Sequence, residues 1–190
     1  LASNWSALGR DEAMTISLAI DTATSRTIVG VIEDGKVLFE AFHEGATEHG
    51  FAITELVMKA LEICPKPDQV VVGMGPGPFT GLRVGITFAR TFAFARGIDL
   101  KGVCSLDAIA IDQGEYTVAV DARRKEIYWA SYKDGVRVVG PSVNKPAEVA
   151  SYIFDVYPDM QKMVALSHSQ NETEPMYLRR PDAVPTAERA

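Results

Sequence analysis

The eleven residues Gly75-Pro76-Gly77-Pro78-Phe79-Thr80-Gly81-Leu82-Arg83-Val84-Gly85 put backbone amides, a hydroxyl and a guanidinium where an anion could be held. The apolar run Val70-Val71-Val72-Gly73-Met74 before them reads as a buried strand, and the stretch after them reads as a helix to about Arg96. Glycine supplies backbone angles that other residues avoid and proline locks its own φ, so the connection is tight and rigid. Thr80 stands where its hydroxyl would accept from amides one turn on and cap the helix. A strand, a glycine-rich turn and a helix N-terminus can seat an anion, with Gly75, Gly77, Thr80, Gly81, Arg83 and Gly85 as the candidate set. The same residues also describe a stiff joint between a strand and a closely packed helix, and both readings stand at this point. No Gly-Lys-Ser/Thr follows, which excludes a P-loop, and Thr80 occupies the third glycine of a dinucleotide fingerprint.

Other chemistries have less to draw on. The three histidines, His43, His49 and His168, form neither H-x-x-x-H nor H-E-x-x-H, so no metal pair falls on one helical face and no metal is expected. His49, near the start of the first helix, reads as a capping or surface residue. Cys64 and Cys104 are far apart and read as buried thiols, with no C-x-x-C and no disulfide framework. Serines and threonines are plentiful but none carries a recognisable local base. Asp21 and Asp121 each close an apolar strand, where a carboxylate commonly accepts N–H bonds from its own turn. Arg123-Arg124-Lys125 beside Asp121 could meet a phosphate or an acidic surface, or form a solvated hairpin.

The chain has 190 residues, 47% hydrophobic and 23% charged, enough to bury a sizeable core. A net charge of −6 argues against independent binding to nucleic acid, which needs a basic face. No apolar run approaches a membrane span, and no h-region marks a signal peptide, so a cytoplasmic protein is expected. Residues 1–13 are mixed and polar and precede Met14, and they read as a cloning remnant, an upstream start or a disordered extension.

The positioning elements follow from periodicity. Strands are expected over 16–20, 27–32 and 37–42, with Asp34-Gly35 making a hairpin between the last two. A helix over 48–63 stops before Pro65 and Pro67, and strand 69–74 leads into the glycine–proline turn and second helix. A short strand at 100–103 and a short helix from Ser105 to 111 complete a first lobe, 14–112. The pattern restarts with strands at 116–120, 126–132 and 136–139, a second Asp-Gly hairpin at Asp134-Gly135, and a helix over 146–156. A shortened second lobe, 113–180, and a polar tail, 181–190, are thus expected.

Both long helices are apolar on two sides. In the second, Leu82, Ile86, Ala89 and Ala93 mark one face, and Val84, Phe88, Phe92 and Ala95 another. In the first, Ile53, Leu56, Val57, Ala60 and Leu61 face one way, with Phe51 and Met58 on the other side beside Glu55 and Glu62. A sheet covers only one of these faces, so Phe51, Glu55, Met58, Val84, Phe88, Phe92 and Ala95 are the candidate partner surface.

The order β-β-β-α-β-α-β is that of a ribonuclease-H-like half of the actin-like/Hsp70-like (ASKHA) superfamily, an α/β fold of two lobes. The glycine–proline stretch closely resembles the signature G-P-G-S-F-T-G-L-R-x-G of the TsaB (YeaZ) family of tRNA threonylcarbamoyladenosine biosynthesis proteins. Leu18-Ala19-Ile20-Asp21-Thr22-Ala23-Thr24-Ser25 resembles that family's opening strand and turn, Val120-Asp121-Ala122-Arg123-Arg124-Lys125-Glu126-Ile127-Tyr128 its D-A-R segment, and Pro175-Met176-Tyr177-Leu178-Arg179-Arg180 its ending. The resemblance implies a non-catalytic scaffold that docks a TsaD-type catalytic subunit, is joined by a TsaE-type ATPase, and pairs with itself when alone through the two helices. It implies that tRNA is met only through the complex, with no membrane involved. In the superfamily, acidic residues at the places of Asp21 and Asp121 organise metal and nucleotide phosphate beside glycine-bearing turns. Here the turns are Asp21-Thr22-Ala23-Thr24 and Asp121-Ala122-Arg123-Arg124 and both glycines are missing, so the two aspartates are expected to be vestigial, with no cofactor and ATP limited to an interface shared with partners. The competing reading is a small ATPase or phosphotransferase in which the same aspartates hold magnesium, and a third is a homodimeric regulator.

Overall fold

The computed structural model describes residues 14–179. Strands β1 (Ile16–Asp21), β2 (Arg26–Glu33) and β3 (Lys36–Glu44) form an antiparallel meander, and β4 (Gln69–Gly73) and β5 (Asp99–Val103) join beside β1 in parallel. The five-stranded sheet therefore runs β3-β2-β1-β4-β5, with helices α1 (His49–Ile63) and α2 (Phe79–Arg96) making the crossovers. The β2–β3 hairpin turns on Asp34 and Gly35, both at positive φ, as the Asp-Gly pair requires.

Strand alternation divides the core in two. Leu18 and Ile20 of β1, Val29 and Val31 of β2, and Val70 and Val72 of β4 point at α1 and α2, against Ile53, Leu56, Val57, Leu82, Ile86 and Ala89. The intervening Ala19, Ile28, Ile32 and Val71 point to the opposite face, where Met160, Met163 and Val164 close over them. Those three residues belong to α3 (Met160–Leu166), a short helix that the sequence pattern does not reveal. Asp159 caps it, accepting from the Lys162 amide at 2.6 Å. Gly30 lies beneath it: a Cβ there would stand 2.8 Å from the Met160 Cβ.

The second sheet, β6 (Glu115–Asp121), β7 (Ile127–Lys133) and β8 (Val136–Asn144), is antiparallel throughout. Its core holds Tyr116, Val118, Val120, Tyr128, Ala130 and Tyr132, packed on Cys104, Leu106 and Ile109. Two expected helices are absent. The stretch from Ser105 is a series of tight turns, because the side chains that would start a helix are engaged elsewhere: Ser105 with Asp21, and Asp107 with Tyr132 and Gln170. Over 146–156 only a 3₁₀ turn, Pro146–Glu148, forms. The β-branched and aromatic residues beyond it run extended, and Ile153 pairs in parallel with Val118 on the free edge of β6. The second lobe thus has a sheet but, among the described residues, no α-helix packed on it, since α3 returns to the first sheet. Strands β6–β8 lie within the span 113–180 expected for a second lobe, while Met160–Leu166, in the same span, packs on the first sheet. The expected extension, 1–13, and tail, 181–190, lie outside the described residues.

Gly30→Val should destabilise the protein by about 1–3 kcal/mol through overpacking against Met160. In a denaturation double-mutant cycle, adding Met160→Ala should recover part of that loss, where independent sites would simply sum.

Candidate functional site

The glycine–proline turn is built around the end of β1. The Gly75–Pro76 peptide is cis, Gly75 has φ +91°, and α2 starts at Phe79. Pro78 therefore holds the cap position and offers no side-chain acceptor. Thr80 falls inside the first turn, exposed, and does not cap the helix as expected. Side chains at Gly77, Gly81 and Gly85 would strike the β1–β2 turn: their Cβ atoms would lie 2.5 Å from the Ala23 carbonyl oxygen, 2.6 Å from that of Thr22 and 2.2 Å from the Thr22 hydroxyl. Thr22 donates to the Gly81 carbonyl at 2.8 Å. This close approach is what a stiff joint between strand and helix requires of the three positions.

Asp21 is completely buried here. Its Oδ1 accepts from the Ala23 amide at 2.8 Å and its Oδ2 from the Ser105 hydroxyl at 2.6 Å, while Ser105 Oγ accepts from the Gly75 amide at 3.2 Å. Gly73 makes room, since a Cβ there would overlap the Asp21 carboxyl. Burial raises the Asp21 pKa from 3.8 to about 6, against the two hydrogen bonds that lower it. A carboxyl so enclosed does not suit a nucleotide's magnesium.

Asp121 is different. It is exposed at the end of β6, accepts from the Arg123 amide at 2.8 Å and pairs with the Arg123 guanidinium at 3.2 Å. Both aspartates thus serve as acceptors for their own turns. Residues 123–125 all have positive φ, and Arg179 secures them by donating to the Arg123 carbonyl and pairing with Glu126. His49 is buried, not a surface or capping residue, and its Nδ1 lies 2.8 Å from the Thr27 hydroxyl. Burial, then the charges of Arg123 and His43, lower its pKa. Cys64 and Cys104 are buried free thiols, and burial pushes Cys104 to about 12. Among the described residues no group of three His, Cys, Asp or Glu side chains could hold a metal ion.

The helix faces fall as the periodicity indicates. Leu82, Ile86, Ala89 and Ala93 are buried, and Val84, Phe88 and Phe92 are half-buried, with the two phenylalanine rings stacked at 6.1 Å. Phe51 and Met58 are 71% and 64% exposed, Ala95 is exposed, and Glu55 pairs with Lys59 at 2.6 Å. A groove of about 540 Å³ runs between the helices, lined by Ile53, Phe79, Arg83, Val84 and Phe88 among others. Phe94, 89% exposed, extends this apolar surface. It escaped the sequence reading because it sits on the stripe of Thr87 and Thr91, where an isolated aromatic was the only signal.

The family model described as "TsaD: tRNA N6-adenosine threonylcarbamoyltransferase" matches residues 44–183. The chain belongs to this family. Its similarity is to the TsaB (YeaZ) members. The tRNA threonylcarbamoyladenosine biosynthesis protein TsaB of Bacillus subtilis is 32% identical over 133 residues, covering 65% of this chain and 58% of that protein. Two mycobacterial proteins described as uncharacterized, Rv3421c of Mycobacterium tuberculosis and ML0378 of Mycobacterium leprae, are 41% and 40% identical. Both alignments cover 90% of this chain, with 94% of the first protein and 57% of the second. The chain thus spans little more than half of TsaB and of the Mycobacterium leprae relative. Among solved structures, a Pseudomonas aeruginosa protein with similarity to peptidase YEAZ superposes with a TM-score of 0.74 at 21% identity, over 87% of this chain and all of that one. The chain thus shares the fold of that YEAZ-like protein, with the TsaB (YeaZ) signature at the junction of β4 and α2.

Since folding raises the Asp21 pKa, unfolding releases a proton. The stability carried by the protonated carboxyl is complete below about pH 4 and is lost as pH rises through about 6. Denaturation across pH 4–8 should show wild type losing up to about 3 kcal/mol relative to Asp21→Asn, which keeps an acceptor without the titration.

Proposed function

We propose that this chain is a non-catalytic scaffold subunit for formation of N6-threonylcarbamoyladenosine at position 37 of tRNAs reading codons that begin with A. Its role is to dock a TsaD-type catalytic subunit, with a TsaE-type ATPase joining the assembly and tRNA met only through it. Alone, the chain pairs with itself through the same helices, and it works in the cytoplasm. The observation that carries this reading is the apolar surface of α1 and α2, where Phe51, Met58, Phe94 and the groove beside Phe88 remain uncovered after the sheet has used the opposite faces. Aromatic and methionine side chains around a groove are typical interface anchors. The printed names of the relatives supply the pathway, and the family model supplies the kind of partner.

The closed state of Asp21 supports the absence of catalysis. An ATPase or phosphotransferase of this fold needs a carboxylate that reaches a metal-bound phosphate, and Asp21 has both oxygens engaged inside the protein. The net charge of −6 supports indirect contact with tRNA. No described helix is long and apolar enough to cross a membrane.

Reconstitution tests the proposal. Threonylcarbamoylation by the TsaD- and TsaE-type subunits with the intermediate-forming enzyme should require this chain, and Asp21→Asn with Asp121→Ala should leave the requirement satisfied. Met58→Glu and Phe88→Glu should each weaken docking roughly tenfold or more, as charges placed in a desolvated interface do, while circular dichroism shows a folded chain. Modification that proceeds without this chain would remove the scaffold role, and docking unchanged in both variants would move the interface elsewhere.

A further inference from the structure

A cavity of about 350 Å³ opens beside the groove, between the N-termini of α1 and α2 and the β6–β7 turn. Thr47, His49, Gly50, Thr80, Gly81 and Arg123 line it. The first amides of both helices lie here outside the helical ladder: in α1 bonding begins with Phe51 to the Glu48 carbonyl, and in α2 with Leu82 to that of Pro78. Neither helix has a side-chain N-cap bond or an acidic residue in its first turn. Glu48 holds the N-cap position of α1, but its carboxylate pairs with His43 at 2.6 Å and bonds no amide of the helix, so the first amides of the 15-residue and the 18-residue helix have no side-chain acceptor from their own termini.

His49 is the independent observation. Its side chain is buried, with Nδ1 turned to the wholly buried Thr27 hydroxyl. That hydroxyl has no other acceptor among the described residues, so it donates to Nδ1 and the imidazole proton resides on Nε2. Nε2 has no partner among the described residues. It lies beside Gly81, where a Cβ would come within 3.2 Å of it, on the wall of the cavity. A donor is thus held in one tautomer and aimed at the space that the helix termini face. Arg123, whose guanidinium also pairs with Asp121 at 3.2 Å, reaches the cavity from the second lobe.

We propose that this cavity binds a phosphoryl group, held by the Nε2–H of His49, the first-turn amides of α1 and α2, and the Arg123 guanidinium. The donors are of three kinds and come from both lobes, and no carboxylate lines the space. Its volume lies at the lower end of small-molecule sites, roughly 300–1,000 Å³, which leaves room for a group attached to the phosphate. The site does not use Asp21, and it differs from the metal-organised phosphate position expected between Asp21 and Asp121. Gly50, Thr80 and Val84 line both this cavity and the docking groove, so the site adjoins the partner surface, although every contributing residue belongs to this chain.

The test uses the full chain alone, titrated with inorganic phosphate at constant ionic strength and followed by amide and imidazole NMR shifts. Saturable shifts at Gly50, Thr80, Gly81 and His49 are expected. Arg123→Gly removes the guanidinium and relieves a positive φ, and Thr80→Asp puts a carboxylate into the cavity while favouring the helix terminus, so both variants should fold. Each should weaken binding roughly tenfold or more, the scale of one charge-assisted contact. An ADP arm separates the sources: tighter binding that displaces phosphate identifies a nucleotide, and phosphate binding that ADP does not disturb identifies the free ion. Shifts that never saturate, or that persist unchanged in both variants, would overturn the proposal. Docking of the TsaD-type subunit is measured separately, so failure here leaves the scaffold reading standing.

Discussion

The close approach of the β1–β2 turn to the start of α2 is the constraint on which the rest of the structure depends. Gly73, Gly77, Gly81 and Gly85 recur at every fourth position, and a Cβ at any of them would overlap an atom of Asp21, Thr22 or Ala23. Together they form a channel in which residues 21–23 lie. No flexible side chain could yield at Gly77 or Gly81, because the obstacle at each is a backbone carbonyl. The cost of filling the channel would be displacement of α2 from the sheet, and with it the packing of Leu82, Ile86 and Ala89 against β1 and β4.

This packing also decides what the chain can do chemically. With Asp21 drawn beneath Gly73 and bonded to Ser105, its carboxyl is part of the interior. The same packing sets the N-terminus of α2 beside that of α1, with Gly81 pressed between Thr22 and His49. A turn tight enough to bury the acid leaves the opposite, amide-bearing side of the joint open. The stiff-joint and anion-facing readings of the signature are compatible because they concern two sides of one turn.

Most of the first lobe was legible because its signals are local and redundant. Asp34-Gly35 and Asp134-Gly135 mark hairpins by backbone conformation alone, and the two faces of α2 follow from 3.6-residue periodicity over five turns. The errors fall where a distant partner overrides local preference. Ser105 and Asp107 look like helix starters, yet their side chains serve Asp21 and Tyr132. Residues 146–156 have spacing compatible with a helix, but the open edge of β6 takes Ile153 in an isolated parallel bridge to Val118. The helix α3 has only seven residues, too few to establish a period, and its Met160, Met163 and Val164 acquire meaning from the bare face of a sheet formed more than a hundred residues earlier. His49 was misplaced for the same reason, since the buried Thr27 that holds it lies on β2.

The ending motif gives the arrangement its closure. After α3 the chain returns along β5, where the Glu172 amide donates to the Gly102 carbonyl, and then meets α2, where Arg90 donates to the Thr173 carbonyl. The Tyr177 ring packs on Phe79 at 4.9 Å, over the first residue of α2. Two residues later Arg179 reaches the other lobe, donating to the Arg123 carbonyl and pairing with Glu126. One short strap therefore contacts both the helix start and the turn that carries Arg123. Three successive residues at positive φ are costly for side chains other than glycine. Within the turn the Arg123 carbonyl accepts from the Glu126 amide at 3.1 Å, and donors from outside add to that bond. Arg179 supplies one. The strap thus makes the position of Arg123 relative to α2 a property of the fold, not of a flexible loop, and ties together the two segments that carry the family signature.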